Sequence, residues 1–280
     1  MPLPVTPPFL GSRQLERPRL VLLGVPLDRT QYYRSGTGLA PGRIRLVSDI
    51  LETYSPELHR DLSEVAFTDA GDIEVGGLGP EAAVEQIARE TVPFIQAGSI
   101  PILVGGEHTL TLGGVRAAHS RHPDLVVLQL DAHLDLAAED RGMALTHWTV
   151  FRRIADEIGQ DRLIQLGIRS GTREEFLAAG RSRHWSADVR LPTALRRELG
   201  RVPIYLSIDI DVLDPAVAPG TGSPEPPGVG FRELIDFIYS LRNFRIVAAD
   251  LVEVSPPYDR GDLTAVVAAK LLRELILLLG

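Results

Sequence analysis

Short, continuous apolar runs alternate with segments of helical spacing along this chain, and that alternation restricts the fold more than any other feature. Arg19 to Leu27, Ile100 to Val104, Leu125 to Leu130, Leu163 to Ile168, Pro203 to Ile208 and Arg245 to Ala249 each read as a buried strand, with Val65 to Thr68 as a shorter one. Helices are predicted over Ile44 to Thr53, Pro80 to Gln96, Leu110 to His119, Thr149 to Ile158, Thr172 to Ala179, Phe231 to Leu241 and Leu263 to Leu279. Thr172 and Glu175 have the spacing of a capping box. Strands apolar on both faces and separated by helices specify a mainly parallel sheet covered on both sides. The predicted class is therefore α/β, a three-layer α/β/α domain with a central sheet. With 280 residues, 44% of them hydrophobic, the chain can bury one large core. Residues 1–18 are proline-rich and read as an N-terminal surface arm, and residues 19–280 as a single domain. Tyr33 to Gly42 reads as a glycine-rich loop, and Asp214 to Gly230 as a loop over a site rather than a linker.

Composition excludes several function classes. Cysteine is absent, so there is no disulfide framework, thiolate zinc site or cysteine nucleophile. A net charge of -8 argues against a nucleic-acid surface and mildly favours cationic ligands. No apolar run reaches membrane-spanning length, and Met1-Pro2-Leu3-Pro4 lacks the pattern of a secretory signal. The expectation is a cytoplasmic protein.

Three motifs carry the chemistry, each directly after a predicted strand: Gly105-Gly106-Glu107-His108, Asp131-Ala132-His133-Leu134-Asp135 and Ser207-Ile208-Asp209-Ile210-Asp211. In extended backbone, side chains two apart point the same way, so Asp131, His133 and Asp135 can share a face, as can Asp209 and Asp211. Ligands of open α/β sheets bind at the carboxyl ends of the strands, where all three motifs lie. Four carboxylates and two imidazoles are too many for one ordinary metal ion and suit two divalent ions with shared carboxylates. The ligand set is oxygen-rich and sulfur-free, which favours Mn²⁺, with zinc, iron, cobalt or nickel able to bind. Two such ions acidify a shared water, so no Ser or Cys nucleophile is needed. No Gly-x-Ser-x-Gly elbow or Walker loop competes.

These motifs, in this order, resemble the ureohydrolase family of arginases and agmatinases. Gly167-Ile168-Arg169-Ser170-Gly171-Thr172-Arg173, Pro219-Gly220-Thr221-Gly222-Ser223-Pro224-Glu225-Pro226 and Glu253-Val254-Ser255-Pro256-Pro257-Tyr258-Asp259 look like its agmatinase branch. The resemblance implies an arginase-like α/β/α catalytic domain, assembled as a homo-oligomer (trimer or hexamer), with two Mn²⁺ per chain. It places His108, Asp131, Asp135 and Asp209 on one ion. It places Asp131, His133, Asp209 and Asp211 on the other. His147 matches the family's catalytic histidine, and Glu225 is taken as the guanidinium-binding glutamate. His147, or a proton held near Asp135, would protonate the leaving amine. Two positions depart from the family pattern: Trp148 replaces glycine after the histidine, and Pro227-Gly228 replaces Gly-Gly.

After Asp135 the chain reads Leu136-Ala137-Ala138-Glu139-Asp140, where arginases carry polar residues that hold an α-carboxylate. Glu139 and Asp140 would repel a carboxylate and attract an amine. The expected substrate is a small cationic guanidino compound contacting Glu225, His147, Trp148, Glu139 and Asp140. Agmatine, cleaved to putrescine and urea, comes first, and N1-aminopropylagmatine, giving spermidine, second. A metal-dependent amidohydrolase and a non-catalytic regulatory homologue are the alternatives.

Overall fold

The structure, a computed structural model, describes residues 7–280. Ten strands and eight α-helices follow in order: β1 (Leu20–Val25), α1 (Ala40–Ser48), β2 (Tyr54–Ser55), β3 (Arg60–Asp61), β4 (Phe67–Asp72), α2 (Pro80–Ala97), β5 (Ile100–Gly105), α3 (Leu110–His119), β6 (Val126–Leu130), α4 (Val150–Ile158), β7 (Leu163–Leu166), α5 (Arg173–Ala179), β8 (His184–Ser186), α6 (Thr193–Leu199), β9 (Pro203–Asp209), α7 (Phe231–Ser240), β10 (Arg245–Val252) and α8 (Leu263–Leu279). Eight strands form one sheet in the order β4-β1-β5-β10-β9-β6-β7-β8, with every pairing parallel. β2 and β3 make a separate antiparallel ribbon.

Alternate strand residues serve opposite layers. Leu20 and Leu22 of β1 pack with Ile44 and Val47 of α1 and Leu272 and Leu275 of α8, while Val21, Leu23 and Val25 face Ala83 and Ile87 of α2 and Leu110 of α3. The helices divide accordingly, with α1, α6, α7 and α8 against one face and α2, α3, α4 and α5 against the other. Each leucine or isoleucine so buried stabilises the fold by roughly 1.5–3 kcal/mol.

Several details differ from the sequence expectation, among them the end of α1 at Ser48 rather than Thr53, the span of β4 and the β2–β3 ribbon, and three have a plain physical reason. α1 starts at Ala40, inside the predicted loop, because Pro41 stands in its first turn, where a missing N–H costs nothing. β10 runs on to Val252 rather than ending at Ala249. β8 and α6 were not predicted, since His184-Trp185-Ser186 offers no apolar run and α6 is only seven residues long. The described part of the N-terminal arm is tied down: Phe9 is buried in the core and its N–H donates to Asp69 at 2.8 Å. Residues 1–6 of the predicted arm lie outside the described residues.

Asp69 also anchors α1. The Arg45 guanidinium is buried and bonds Asp69 in two places, at 2.8 and 2.9 Å, and pairs with Asp72 as well. The four central strands β5, β10, β9 and β6 are adjacent, so their carboxyl ends gather at one place.

Candidate metal centre

His108 follows β5, the Asp131 to Asp135 segment follows β6, and Asp209 ends β9 with Asp211 in the 3-10 turn beyond it. Gly106 makes the first placement possible. A Cβ there would stand 2.5 Å from the carbonyl oxygens of both Val25 and Leu27. With no side chain the two strand ends close up, and Glu107 N–H donates to Leu27 O at 2.8 Å.

His108 Nδ1 lies 3.2 Å from one oxygen each of Asp131, Asp135 and Asp209. Its other nitrogen, Nε2, is 3.0 Å from Ser207 Oγ, and Ser207 donates its only hydroxyl hydrogen to Asp250 at 2.7 Å. Ser207 must therefore accept from Nε2–H, so in the neutral ring Nδ1 carries the lone pair. That nitrogen is buried and has no hydrogen-bond partner among the described residues. A lone pair facing three carboxylate oxygens is repulsive unless a cation stands between them, so the donor set fits a metal ion. Asp250 is held in turn by the hydroxyls of Thr111 and Tyr205, at 2.8 and 2.7 Å.

A second set adjoins the first. Asp131, His133 and Asp211 bring ligand atoms within 4.8 Å of one another, as His108, Asp131 and Asp209 do, and Asp131 belongs to both groups. His133 Nδ1 lies 2.9 Å from Asp211. Buried amides aim the shared carboxylate: Gln129 donates to Asp131 at 2.6 Å and is itself held by Gln165 at 2.7 Å. Asp135 sits on left-handed backbone (φ 52°), which turns its carboxylate back towards His108.

The electrostatics are those of an uncompensated anionic cluster. Burial and the neighbouring charge of Asp131 push Asp135 up to about 7, and burial with Asp211 and Asp131 pushes Asp209 up as well. Burial alone would pull His108 and His133 down, but the surrounding carboxylates win and raise both well above the usual range. Cations bound here would take over the compensation that protons must otherwise provide.

The arginase-family sequence profile matches residues 18–278. The chain belongs to the arginase family. It is 41% identical to the agmatinase of Bacillus anthracis over 96% of this chain and 95% of that protein. It is 35% identical to the human mitochondrial guanidino acid hydrolase over 91% of this chain and 76% of that protein. The crystal structure of the agmatine ureohydrolase of Thermoplasma volcanium superposes with a TM-score of 0.89 at 33% identity, covering 97% of this chain and 93% of that one. Within the arginase family the chain is an agmatinase-like ureohydrolase, and it has the arginase-like fold.

The remaining residues singled out from sequence fall into two groups in this arginase-family chain. His147 and Trp148 line the same small cavity as His108, His133, Asp135, Asp209 and Asp211, a void of about 10 Å³. Trp148 is 40% exposed and packs edge-on against Tyr32, whose ring is 6.0 Å from that of His147. Burial, with the positive surroundings, lowers His147 to about 4, so its ring is neutral at pH 7. Glu225, Glu139 and Asp140 do not line the cavity. Glu225 is half-buried in a proline-bounded loop whose position is set by its own carbonyl, which accepts from Arg169 at 2.8 Å. Glu139 is exposed, and Asp140 is buried in a tight turn closed by paired backbone bonds to Met143. Glu225, expected to meet a guanidinium, does not line the cavity; besides the candidate ligands, the carboxylate that does is Glu253. Glu253 is buried on left-handed backbone (φ 67°), accepts from His108 N–H at 2.7 Å and from the Gln31 amide at 2.5 Å, and is raised well above the usual range by burial. It directly follows β10 and so obeys the same strand-end rule as the other motifs; the predicted strand, stopping at Ala249, hid it.

Proposed function

We propose that this protein hydrolyses agmatine to putrescine and urea with two Mn²⁺ ions per chain. The observation that carries the reading is the pair of ligand groups sharing Asp131, with the His108 Nδ1 lone pair aimed at three carboxylates. In this reading His108, Asp131, Asp135 and Asp209 hold one ion and Asp131, His133, Asp209 and Asp211 the other. When bound, the two ions supply an acidified water as nucleophile and stabilise the charge that develops on attack. The oxygen-rich, sulfur-free donor set supports manganese.

The chain's own residues do the rest. Glu253 pairs with the planar guanidinium, a match of fork to carboxylate, and holds its carbon over the ligand cluster. His147, neutral and beside the cavity, takes a proton as the water attacks and returns one to the leaving amine. Trp148 and Tyr32 narrow the mouth and limit water. The protein named agmatinase at 41% identity supports agmatine as substrate. We further propose a cytoplasmic homo-oligomer, trimer or hexamer.

One observation favours a second reading. The Arg141 guanidinium lies 3.6 Å above the Tyr32 ring, so a fixed cation stands near the mouth. It suits a guanidino compound with an anionic far end, as the name of the human guanidino acid hydrolase suggests for that relative. Urea release is to be measured with agmatine, N1-aminopropylagmatine, 4-guanidinobutyrate and arginine, with Mn²⁺ added and then chelated. Agmatine should give the highest kcat/KM and chelation should abolish it. A higher value for guanidinobutyrate would select the second reading, and a metal content near one per chain would point to amide hydrolysis.

A further inference from the structure

Glu107 carries no ligand role, yet it is a fully buried carboxylate next to the metal ligand His108. Its Oε2 accepts the backbone N–H groups of Arg29 and Thr30 at 2.6 and 2.7 Å, and its Oε1 lies 3.0 Å from Thr30 Oγ1. Thr30 Oγ1 in turn lies 2.9 Å from His147 Nδ1 and 3.1 Å from the His147 backbone N–H. The residues come from three loops, after β1, after β5 and before α4, and all but Arg29 are buried.

The hydrogens can be counted. A threonine hydroxyl has one hydrogen and two lone pairs. The carboxylate of Glu107 can only accept, so the hydroxyl hydrogen belongs on the Thr30 to Glu107 bond. The opposite arrangement would set two lone pairs against each other at 3.0 Å inside the protein. Both lone pairs of Thr30 Oγ1 then face His147, one taken by its backbone N–H. The other demands a hydrogen on Nδ1.

We propose that Glu107 and Thr30 are positioning residues that fix His147 as its Nδ1–H tautomer, leaving Nε2 as the nitrogen that exchanges protons at the cavity. The tautomer of a histidine is set by the bond its other nitrogen makes, and here that bond ends on a buried anion held by two backbone amides. The catalytic meaning rests on the role of His147 proposed above, but the tautomer itself does not.

The test uses full-length protein labelled with ¹⁵N-histidine and loaded with diamagnetic Zn²⁺, the His147 signals being assigned by their absence in His147→Gln. At neutral pH the ring should show a protonated Nδ1 and an unprotonated Nε2. Thr30→Val should lose that pattern and, in the manganese-loaded enzyme, lower kcat by roughly a hundredfold or more, the scale of a general base left in the wrong tautomer. KM should stay within about twofold, because the guanidinium contact is untouched. Thr30→Ser keeps the hydroxyl and should restore both pattern and rate. A wild-type Nε2–H ring, or an Nδ1–H pattern that survives in Thr30→Val, overturns the proposal. If Thr30→Val does not fold, the wild-type and Thr30→Ser spectra decide alone. The predicted wild-type pattern in a protein that releases no urea would support the relay while sinking the proposed reaction.

Discussion

Glu253 and Asp135 are two of five non-glycine residues with positive φ among those described, and each carries a carboxylate at the cavity. Left-handed backbone costs a residue with a Cβ about 1–2 kcal/mol, and such strain gathers where a side chain must be aimed. Glu253→Gln keeps the shape and removes the charge. It should lower kcat/KM for the best guanidino substrate at least about a hundredfold, the loss of a charge-assisted pair of roughly 3 kcal/mol. Glu225→Gln should change it less than threefold; steady-state urea release on both variants settles which carboxylate binds. The six candidate ligands were legible because each motif directly follows a strand, a local signal, although Asp135 on left-handed backbone and Asp211 in a 3-10 turn depart from the extended alternation expected of them. Thr30 was not: its importance comes from bonds to positions 77 and 117 residues away, and no spacing announces those. Trp148→Gly tests whether the indole sets the size of the accepted amine. The ratio of kcat/KM for N1-aminopropylagmatine to that for agmatine should rise.

At the level of elements, the apolar runs gave nearly every central strand and the long helices, because a strand buried on both faces has no polar positions to blur it. What stayed hidden was made by tertiary contact. β8 is a short edge strand that pairs only with β7, and its His184, Trp185 and Ser186, half-buried or exposed, carry no apolar period. The end of β10 was missed because Asp250, an acid inside an apolar run, looks like a strand end until its three hydroxyl partners are seen. Two joints between elements can be tested. Arg45→Ala leaves Asp69 buried without its cation and should destabilise the fold by about 3–5 kcal/mol in urea denaturation. Gly106→Ala forces a methyl against two carbonyl oxygens and should part the ends of β1 and β5. Its manganese content after dialysis should fall below the wild-type value, a measurement that separates loss of the site from loss of the fold when read beside circular dichroism.

For the molecule as a whole, the acidic cluster couples metal to stability. A ligand at a thousandfold its Kd stabilises by about 4 kcal/mol, which in a chain of this size corresponds to roughly 10 °C in Tm. Added Mn²⁺ should raise the Tm by that order, chelation should reverse it, and Asp131→Asn, which removes the ligand common to both groups, should abolish most of the shift. Among the described residues no helix is long and apolar enough to cross a membrane. The arrangement of the sheet has one more consequence. The candidate ligands Asp131, His133 and Asp135 open the connection from β6 to α4, and Arg141 and Trp148 at the mouth lie farther along that same connection. Attack and choice of amine therefore share one segment, divided along its length. Exchanging only the middle of that connection, residues 136–145, with a relative's should pass on the relative's choice of amine while Asp131 to Asp135 and His147 stay in place.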